Sequence, residues 1–172
     1  IGEALAEVHP DVPVEALRQV SRERLPLLQV PPRGLWKRSG GVVYQYADRY
    51  LGQPFVEVDL PQLVLRYLAA YGPATAADMT KWSMVTRLGP VFTAMHKAGL
   101  LDTVIDDKGR TLYDVPGAPI ADEELPLPAV LLGKYDNVFL SHADRDRIAS
   151  DEARKAWMGV NGGVGSVLFL DG

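Results

Sequence analysis

The 172-residue sequence contains no cysteine. This absence excludes a disulfide framework, a metal site built on thiolates and a thiol nucleophile, and it is typical of a cytoplasmic protein. Long apolar runs are also missing: none approaches the roughly 20 residues of a membrane-spanning helix, so we expect no membrane partner. The histidines His9, His96 and His142 lack metal-ligand spacing, and the glycine-rich stretch 159–165 lacks the lysine of a phosphate-binding loop. We therefore expect neither a metal nor a cofactor.

An excess of positive charge, which is common in nucleic-acid-binding proteins, is missing as well: the formal net charge is −4 at pH 7. The distribution of charge is more informative than its sum. The segment 18–49 holds seven basic residues and only two acidic ones, whereas acidic residues concentrate in 102–124. The first part of the chain is the expected place for a polyanionic partner, although an uneven scatter of surface charge explains the pattern equally well.

The middle of the chain has the order of elements expected of a winged helix, a DNA-binding unit of three helices and a β-hairpin. Apolar residues at i, i+3, i+4, i+7, i+8 and i+11 from Leu60 predict an amphipathic helix that ends at Gly72. Thr75 and Asp78 have the spacing of a helix-capping box. The predicted elements that follow are a short helix through Trp82, a third helix that ends at Gly99, and strands at 101–105 and 110–115 around the turn 106–109.

These patterns predict an α+β fold of tandem winged-helix units followed by a β-rich C-terminal segment. Residues 1–57 are expected to form a partial winged helix with a basic hairpin, 58–117 a complete one, and 118–172 a linker plus a truncated β-rich segment. Buried strands are predicted at 130–132 and 138–140. The chain begins in helix-like sequence without methionine and ends on a strand that runs into Asp171-Gly172. We interpret it as an internal piece of a longer protein.

The predicted hairpin of the first segment carries the best candidates for contact with DNA phosphates. Arg33, Lys37 and Arg38 surround Trp36, and each basic residue that neutralises a phosphate makes binding salt-dependent. Arg18 and Arg22, one helical turn apart, extend this set, but a salt bridge between Arg18 and the nearby Glu15 is the competing interpretation. In the third helix of the central unit, Arg87 and Lys97 suit phosphate contacts, or equally a solvated helix face. Acidic residues at the 106–109 turn make that hairpin a poor DNA contact.

A polar motif, Ser141-His142-Ala143-Asp144-Arg145, follows the apolar stretch 138–140. It contains the residue types of a hydrolase triad, but immediate neighbours in sequence do not converge as triad residues do. We expect a polar turn in which His142 and Arg145 touch DNA and Asp144 orients one of them. The alternative, of equal weight, is structural hydrogen bonding within the turn. The residues concerned are Asp136, Asn137, Ser141 and Asp144.

Three stretches resemble the AlkZ-type winged-helix proteins, a family that contains DNA glycosylases able to unhook interstrand crosslinks. They are 71–78 with Trp82-Ser83, the stretch 28–36, and 135–137 with 141–145. The resemblance implies tandem winged helices around a concave surface for double-stranded DNA. It also implies repair of alkylated or crosslinked purines. The family's chemistry depends on a Gln-x-Gln or Gln-x-Asp pair, and none of the five glutamines here has that spacing. We therefore expect no catalytic residue in this chain.

Two other functions remain open from the sequence. The same architecture serves non-catalytic DNA-binding proteins such as transcription factors, which the missing glutamine pair favours. Winged helices also serve protein contacts alone, which the acidic turn at Asp106 and Asp107 permits. A salt-dependent affinity for DNA distinguishes the glycosylase and the non-catalytic DNA-binding protein from a protein-contact module, because phosphate contacts weaken as ionic strength rises.

Overall fold

The computed structural model of this chain describes residues 1–122, 124–159 and 165–170. They divide into two compact units, Ile1–Glu57 and Val58–Gly172. Within the described residues the fold is α+β, with seven α-helices and three two-stranded antiparallel sheets. No described helix is both long enough and apolar enough to cross a membrane.

The first unit consists of two helices, a pair of strands and a short third helix. The elements are α1 (Gly2–Val8), α2 (Val14–Arg24), β1 (Leu27–Val30), β2 (Val43–Tyr46) and α3 (Ala47–Leu51). The predicted hairpin is confirmed, with Leu27 opposite Tyr46 and Val30 opposite Val43. Helix α3 was not predicted, because its five residues make little more than one turn and display no periodicity. It ends at Gly52, whose φ of 66° suits glycine.

The first unit buries little of its own apolar surface. Among its residues only Gly2, Ser21 and Val30 are buried. Gly2 lies where α1 meets α2, and a Cβ there would collide with the Arg18 side chain. Large apolar side chains, Val56 among them, remain exposed.

The second unit begins with the helices and hairpin predicted for 60–115, which are confirmed. They are α4 (Leu60–Tyr71), α5 (Ala76–Ser83), α6 (Gly89–Lys97), β3 (Asp102–Ile105) and β4 (Thr111–Asp114). Asp59 caps α4 by accepting the Gln62 amide at 3.2 Å. Thr75 and Asp78 form both hydrogen bonds of the expected capping box at the start of α5. These caps satisfy amides that have no acceptor inside the helix.

The core of the second unit lies between the three helices and β4. Phe92 is fully buried and meets the Tyr113 ring edge-on at 5.3 Å between centroids. The backbone of Ala74 pairs with Tyr113 in both directions, at 2.9 and 2.8 Å. This pairing ties the α4–α5 connection to the hairpin. The buried core residues are Val64, Tyr67, Leu68, Ala74, Met79, Leu88, Phe92, Met95 and Leu101.

The last part of the second unit differs from the prediction. The strand predicted at 138–140 is wrong: Asn137–Phe139 is a 3-10 turn, because the Asp136 carboxylate accepts the Val138 amide at 3.0 Å and closes the chain into a turn. β5 (Val130–Leu132) is a strand as predicted, but Val130 and Leu131 are exposed rather than buried. It pairs with β6 (Val167–Phe169), and α7 (Asp151–Trp157) is capped by Ser150, whose side chain accepts the Ala153 amide.

Strand content in this last part is limited, among the described residues, to β5 and β6. Phe139 supplies its core contact: the ring is buried and lies 4.5 Å from the Trp157 ring and 5.7 Å from the Phe169 ring, centroid to centroid. Most of the glycine-rich stretch, 160–164, and the final turn at Asp171-Gly172 lie outside the described residues.

Candidate nucleic-acid interface

The connection between β1 and β2 is a basic loop of residues 31–42. Every residue of this loop is exposed, and its sequence contains three cations and no acidic residue. The Leu35 amide donates to the Pro32 carbonyl at 3.3 Å and the Arg38 amide donates to the Leu35 carbonyl at 3.0 Å. Lys37 adopts the left-handed region, with φ of 55°. Two overlapping turns therefore shape the part of the loop that carries the cations.

The three cations of this basic loop are available for an external anion. Among the described residues, no carboxylate lies within 4 Å of the charged groups of Arg33, Lys37 or Arg38. The sequence prediction placed the principal phosphate contacts at these three positions. Exposure and the lack of acidic neighbours are what such contacts require.

Arg18 and Arg22 on α2 are engaged differently. Arg18 forms ion pairs with Glu3 at 3.0 Å and Glu15 at 3.3 Å, so the competing interpretation as a helix salt bridge is confirmed. Arg22 lies 3.5 Å from Glu15 and donates to the Gln19 side chain at 2.8 Å. Exposed pairs of this kind contribute only about 0 to 1 kcal/mol. A phosphate can therefore compete for these arginines, but it would have to displace Glu15.

In the second unit, His142 is buried and its two ring nitrogens are both used inside the protein. Nε2 lies 2.9 Å from the Tyr71 carbonyl oxygen and 2.9 Å from Nη1 of Arg147. Nδ1 lies 2.9 Å from the Ser141 hydroxyl. Burial lowers the pKa of the imidazole, and the Arg147 guanidinium lowers it further, so the ring is neutral at pH 7. These bonds leave no nitrogen of His142 for the DNA contact expected from the sequence.

Arg145 is also turned inward. It is half-buried, and its Nε is buried without a hydrogen-bond partner among the described residues. Its Nη1 lies 3.6 Å from the Met158 sulfur, which is a weak acceptor. The expected phosphate contact at Arg145 therefore has no support in the exposure of this side chain.

The remaining residues of the polar motif serve the turn itself. Asp144 accepts the Asp146 amide at 3.1 Å, and it orients neither His142 nor Arg145 as the sequence had suggested. Asn137 is exposed, and its backbone carbonyl accepts the Ser141 amide at 2.8 Å. Hydrogen bonds within the turn are therefore present, as the structural alternative requires, and Asp144 in addition accepts from Lys108 and Arg110 outside it.

The Asp78 carboxylate joins the start of α5 to this turn. One oxygen accepts from the amide and hydroxyl of Thr75 at 2.8 and 2.7 Å, and the other accepts from the amides of Ala143 at 2.9 Å and Asp144 at 3.4 Å. Burial by itself raises the pKa of Asp78, but the bonds from Thr75 and the two amides outweigh it and hold the pKa below its usual value. The carboxylate is therefore ionised and fully used.

Tyr67 on α4 holds the same turn from its other side. Its ring is buried, and its hydroxyl donates to the Ser141 carbonyl at 2.7 Å. Burial raises the pKa of the Tyr67 phenol above its usual range, with the Asp78 charge adding to it, so the hydroxyl keeps the proton that it donates. The ring also packs on Tyr71 and Trp82, at centroid distances of 5.6 and 5.3 Å. Sequence reasoning missed the bridging roles of Tyr67 and Asp78, because the partners lie more than 60 residues away.

The chain matches the model of a protein family, DNA glycosylase AlkZ-like, over residues 1–172. The chain belongs to the AlkZ-like family. The resemblance read from three motifs is thereby confirmed. Among solved structures it is similar to Streptomyces sahachiroi DNA glycosylase AlkZ, with 22% identity and a TM-score of 0.63. At this identity the similarity shows the fold alone.

That similarity covers 84% of this chain and 40% of the Streptomyces chain. The chain therefore spans less than half the length of the solved structure that it matches. Among curated proteins no match was found.

The two glutamines of the β1–β2 sheet do not form the pair that the AlkZ resemblance called for. Gln29 lies opposite Tyr44, and Gln45 lies opposite Leu28. Because residues directly opposite each other share a face and neighbours along a strand alternate, Gln29 and Gln45 lie on opposite faces of the β1–β2 sheet. The two glutamines that come nearest in register therefore do not converge.

The β3–β4 hairpin of this AlkZ-like chain is fastened to the polar turn by ion pairs. Lys108 lies 2.9 Å from both Asp144 and Asp146, and Arg110 lies 2.6 Å from both Asp106 and Asp144. Lys108 and then Arg110 hold the pKa of the Asp144 carboxyl far below its usual range. The cations of this hairpin are used within the unit, as the expectation of a poor DNA contact requires.

A cleft of about 250 Å³ lies beside these pairs, between Asp78, Lys108, Arg147 and their neighbours. Apart from Asp107, its charged groups pair with one another or with the backbone. No cluster of acidic and histidine residues suited to a metal ion occurs in the described part of the chain.

Helix α6 and the residues just before it present a second exposed set of polar side chains. Arg87, Thr93 and Lys97 are exposed, and no ion pair to Arg87 or Lys97 occurs among the described residues. The sequence placed Arg87 in the third helix, which is wrong: it lies two residues before α6 begins and has a φ of 61°. His96 bonds through Nδ1 to the Leu101 carbonyl at 2.9 Å, which makes it a structural residue. Arg87 and Lys97 suit phosphate contacts better than base reading.

Proposed function

We propose that this chain is the DNA-binding portion of a DNA repair glycosylase that acts on alkylated or crosslinked purines. The observation that carries the proposal is membership of the AlkZ-like family over residues 1–172. Coverage of 40% of the Streptomyces chain supports a portion rather than a complete enzyme. The order of α4, α5, α6, β3 and β4 supports a complete winged helix at 58–117, and 1–57 supports a partial one.

The proposed DNA contacts centre on the basic loop 31–42. Arg33, Lys37 and Arg38 bind phosphates of double-stranded DNA, because they are exposed and have no acidic neighbour. Arg87, just before α6, contributes a further contact in its own unit. Arg18 and Arg22 contribute less, since contact with DNA breaks their pairs with Glu15. The turn 141–145 acts as a structural clamp rather than as a contact.

The proposed chemistry needs little machinery from this portion. A purine alkylated at N7 is cationic and is already a good leaving group, so the enzyme has to position a water molecule and stabilise positive charge on the sugar. No glutamine pair of the required spacing exists in the 172 residues. The proposal therefore assigns the catalytic residues to another part of the natural protein.

The test is base release by the full-length natural protein. A labelled duplex with one N7-methylguanine is incubated with the protein, and abasic sites are revealed as strand breaks after mild alkali. We expect lesion-dependent breaks that an unmodified duplex of the same sequence does not show. DNA binding without any base release, on methylated and crosslinked duplexes alike, overturns the glycosylase proposal.

A second function, a non-catalytic DNA-binding protein, is favoured by the missing glutamine pair. It predicts salt-dependent binding to undamaged duplex with preference for a particular sequence, and no base release. Footprinting on an undamaged mixed-sequence duplex distinguishes the two functions. A sequence-specific binder protects one site from cleavage, whereas a glycosylase that recognises damage should protect none selectively. Binding that does not change with salt would contradict both.

A further inference from the structure

Trp36 occupies an unusual place for a tryptophan. Its side chain is 88% exposed at the surface of the basic loop 31–42. The other two tryptophans, Trp82 and Trp157, are half-buried and pack on aromatic neighbours. An indole ring left in water gives up the stabilisation that burial provides. Leu35, the preceding residue, is also 51% exposed, and neighbouring exposed apolar side chains of this kind are a feature of binding surfaces.

The backbone of the loop holds this ring in a defined place. Trp36 lies inside the turn that the Arg38 amide closes by donating to the Leu35 carbonyl, and the Leu35 amide donates in turn to the Pro32 carbonyl. The next residue, Lys37, has φ of 55°, which turns the chain sharply after the indole. The ring is therefore carried at the outside of a turn, not on an extended strand.

The charges around the Trp36 ring indicate the kind of partner that the loop binds. Lys37 follows Trp36 directly, Arg38 is the next residue, and Arg33 is three positions earlier, while the loop contains no acidic residue. An apolar protein partner would have to bury or displace three cations. A nucleic acid instead offers phosphates for the cations and flat bases for the ring, which is the combination used by proteins that bind unpaired strands.

We propose that Trp36 stacks on a nucleobase that is unpaired or lifted from the duplex, while Arg33, Lys37 and Arg38 hold the adjacent phosphates. This inference rests on the proposed function, because it requires that the chain binds DNA. In an intact duplex the faces of each base are covered by its neighbours, so the indole has a surface to stack on only where the stack is broken. Trp36 therefore gives the protein a preference for disrupted over intact DNA.

The test compares two labelled duplexes of the same sequence, one intact and one with a single unpaired thymine, by fluorescence anisotropy with the full-length natural protein. Base stacking is worth about 1 to 3 kcal/mol, which corresponds to roughly 5- to 150-fold in affinity. We expect the bulged duplex to bind about tenfold more tightly, within that range. Because stacking is not ionic, this ratio stays constant as salt rises, while both affinities fall together.

Four variants separate stacking from other roles. Trp36→Phe keeps an aromatic ring and should retain most of the ratio, whereas Trp36→Leu keeps apolar surface without the ring and should reduce the ratio towards one. Leu35→Ala is the matched control, because Leu35 is 51% exposed beside the indole and has no ring. Lys37→Ala should lower both affinities and leave the ratio unchanged.

A direct readout accompanies the affinities. Tryptophan emission of the wild type should be quenched by the bulged duplex, and the difference from Trp36→Phe isolates the signal of this residue. If Trp36→Leu keeps the ratio, or the bulge causes no quenching, the stacking inference is wrong although DNA binding stands. If neither duplex binds even at low salt, the proposed function itself is wrong.

Discussion

Removing the hydroxyl of Tyr67 is a sharp test of how the polar turn 141–145 is held. The Tyr67→Phe change deletes one atom from a ring that is 1% exposed. That atom donates the 2.7 Å hydrogen bond to the Ser141 carbonyl, and Ser141 is itself 1% exposed, so water cannot replace the donor without rearrangement. A buried acceptor left unsatisfied costs about 1 to 3 kcal/mol. We expect the free energy of unfolding to fall by about 2 kcal/mol.

The measurement is urea unfolding at pH 7, followed by far-ultraviolet circular dichroism. With a slope of about 1 to 3 kcal/mol per molar urea, the midpoint should fall by roughly 1 M while the slope stays the same. Amide exchange gives a local readout: the Ala143 amide, held by Asp78 at 2.9 Å, should exchange faster because the turn opens more often.

Tyr71→Phe is the matched control. Tyr71 belongs to the same aromatic cluster, but among the described residues its hydroxyl makes no hydrogen bond, and its ring is only half-buried. Its loss should change stability by less than about 0.5 kcal/mol. If Tyr67→Phe proves no less stable than Tyr71→Phe, the hydrogen bond from the Tyr67 hydroxyl to the Ser141 carbonyl does not hold the turn.

The remaining predictions concern the core, the carboxylate and the basic loop. Phe92→Ala should lower the free energy of unfolding by about 3 to 5 kcal/mol, because the ring is fully buried in the core; calorimetry measures it, and an unchanged melting temperature would contradict the register of α6. Asp78→Asn should cost roughly 1.5 to 3 kcal/mol at pH 7 through weaker bonds to the turn. Because the folded pKa of Asp78 is depressed, its contribution is present above the unfolded value of about 3.9 and is lost as pH falls through the folded value. The difference in free energy of unfolding between wild type and Asp78→Asn, measured by urea unfolding, should therefore disappear below about pH 4. A difference that does not change with pH would refute the role of the ionised Asp78 carboxylate. Replacing Lys37 and Arg38 together with alanine should lower the slope of log affinity against log salt by about two units, and an unchanged slope would exclude the loop from the interface.

Arg22→Ala serves as the control for the loop variant. It removes a cation of the same unit that already lies 3.5 Å from Glu15 and 2.8 Å from Gln19. Binding titrations at several salt concentrations should show a change in slope smaller than one unit. A larger change would place α2 in the interface alongside the loop.

Most helices and strands could be predicted from the sequence because their signals are local. The stripe that begins at Leu60 and the box formed by Thr75 and Asp78 each depend on residues within one or two turns, and each predicted element is present. The 3-10 turn at Asn137–Phe139 was missed for a related reason. Three apolar residues fit a strand as well as a turn, and the deciding bond comes from the Asp136 side chain.

The candidate site could be predicted only in part. The basic residues of 31–42 are visible as a charge pattern, but their exposure and lack of acidic neighbours depend on where Glu3 and Glu15 lie. For the motif 141–145 the sequence pattern predicted the wrong exposure. Its polar residues suggest an exposed turn, yet His142 is buried, because Tyr71 and Ser141 satisfy its nitrogens inside the protein.

By itself the amino-acid order determined most of the helices, the capping box of α5, the concentration of positive charge in the first unit and the family. These properties arise between residues close along the chain or from the content of a segment. Only the tertiary structure decided which polar groups remain available to a ligand. That outcome depends on partners such as Asp78 and Ala143, which are 65 residues apart, and hydrogen bonds and ion pairs over such separations form only when packing brings the groups within about 3 Å.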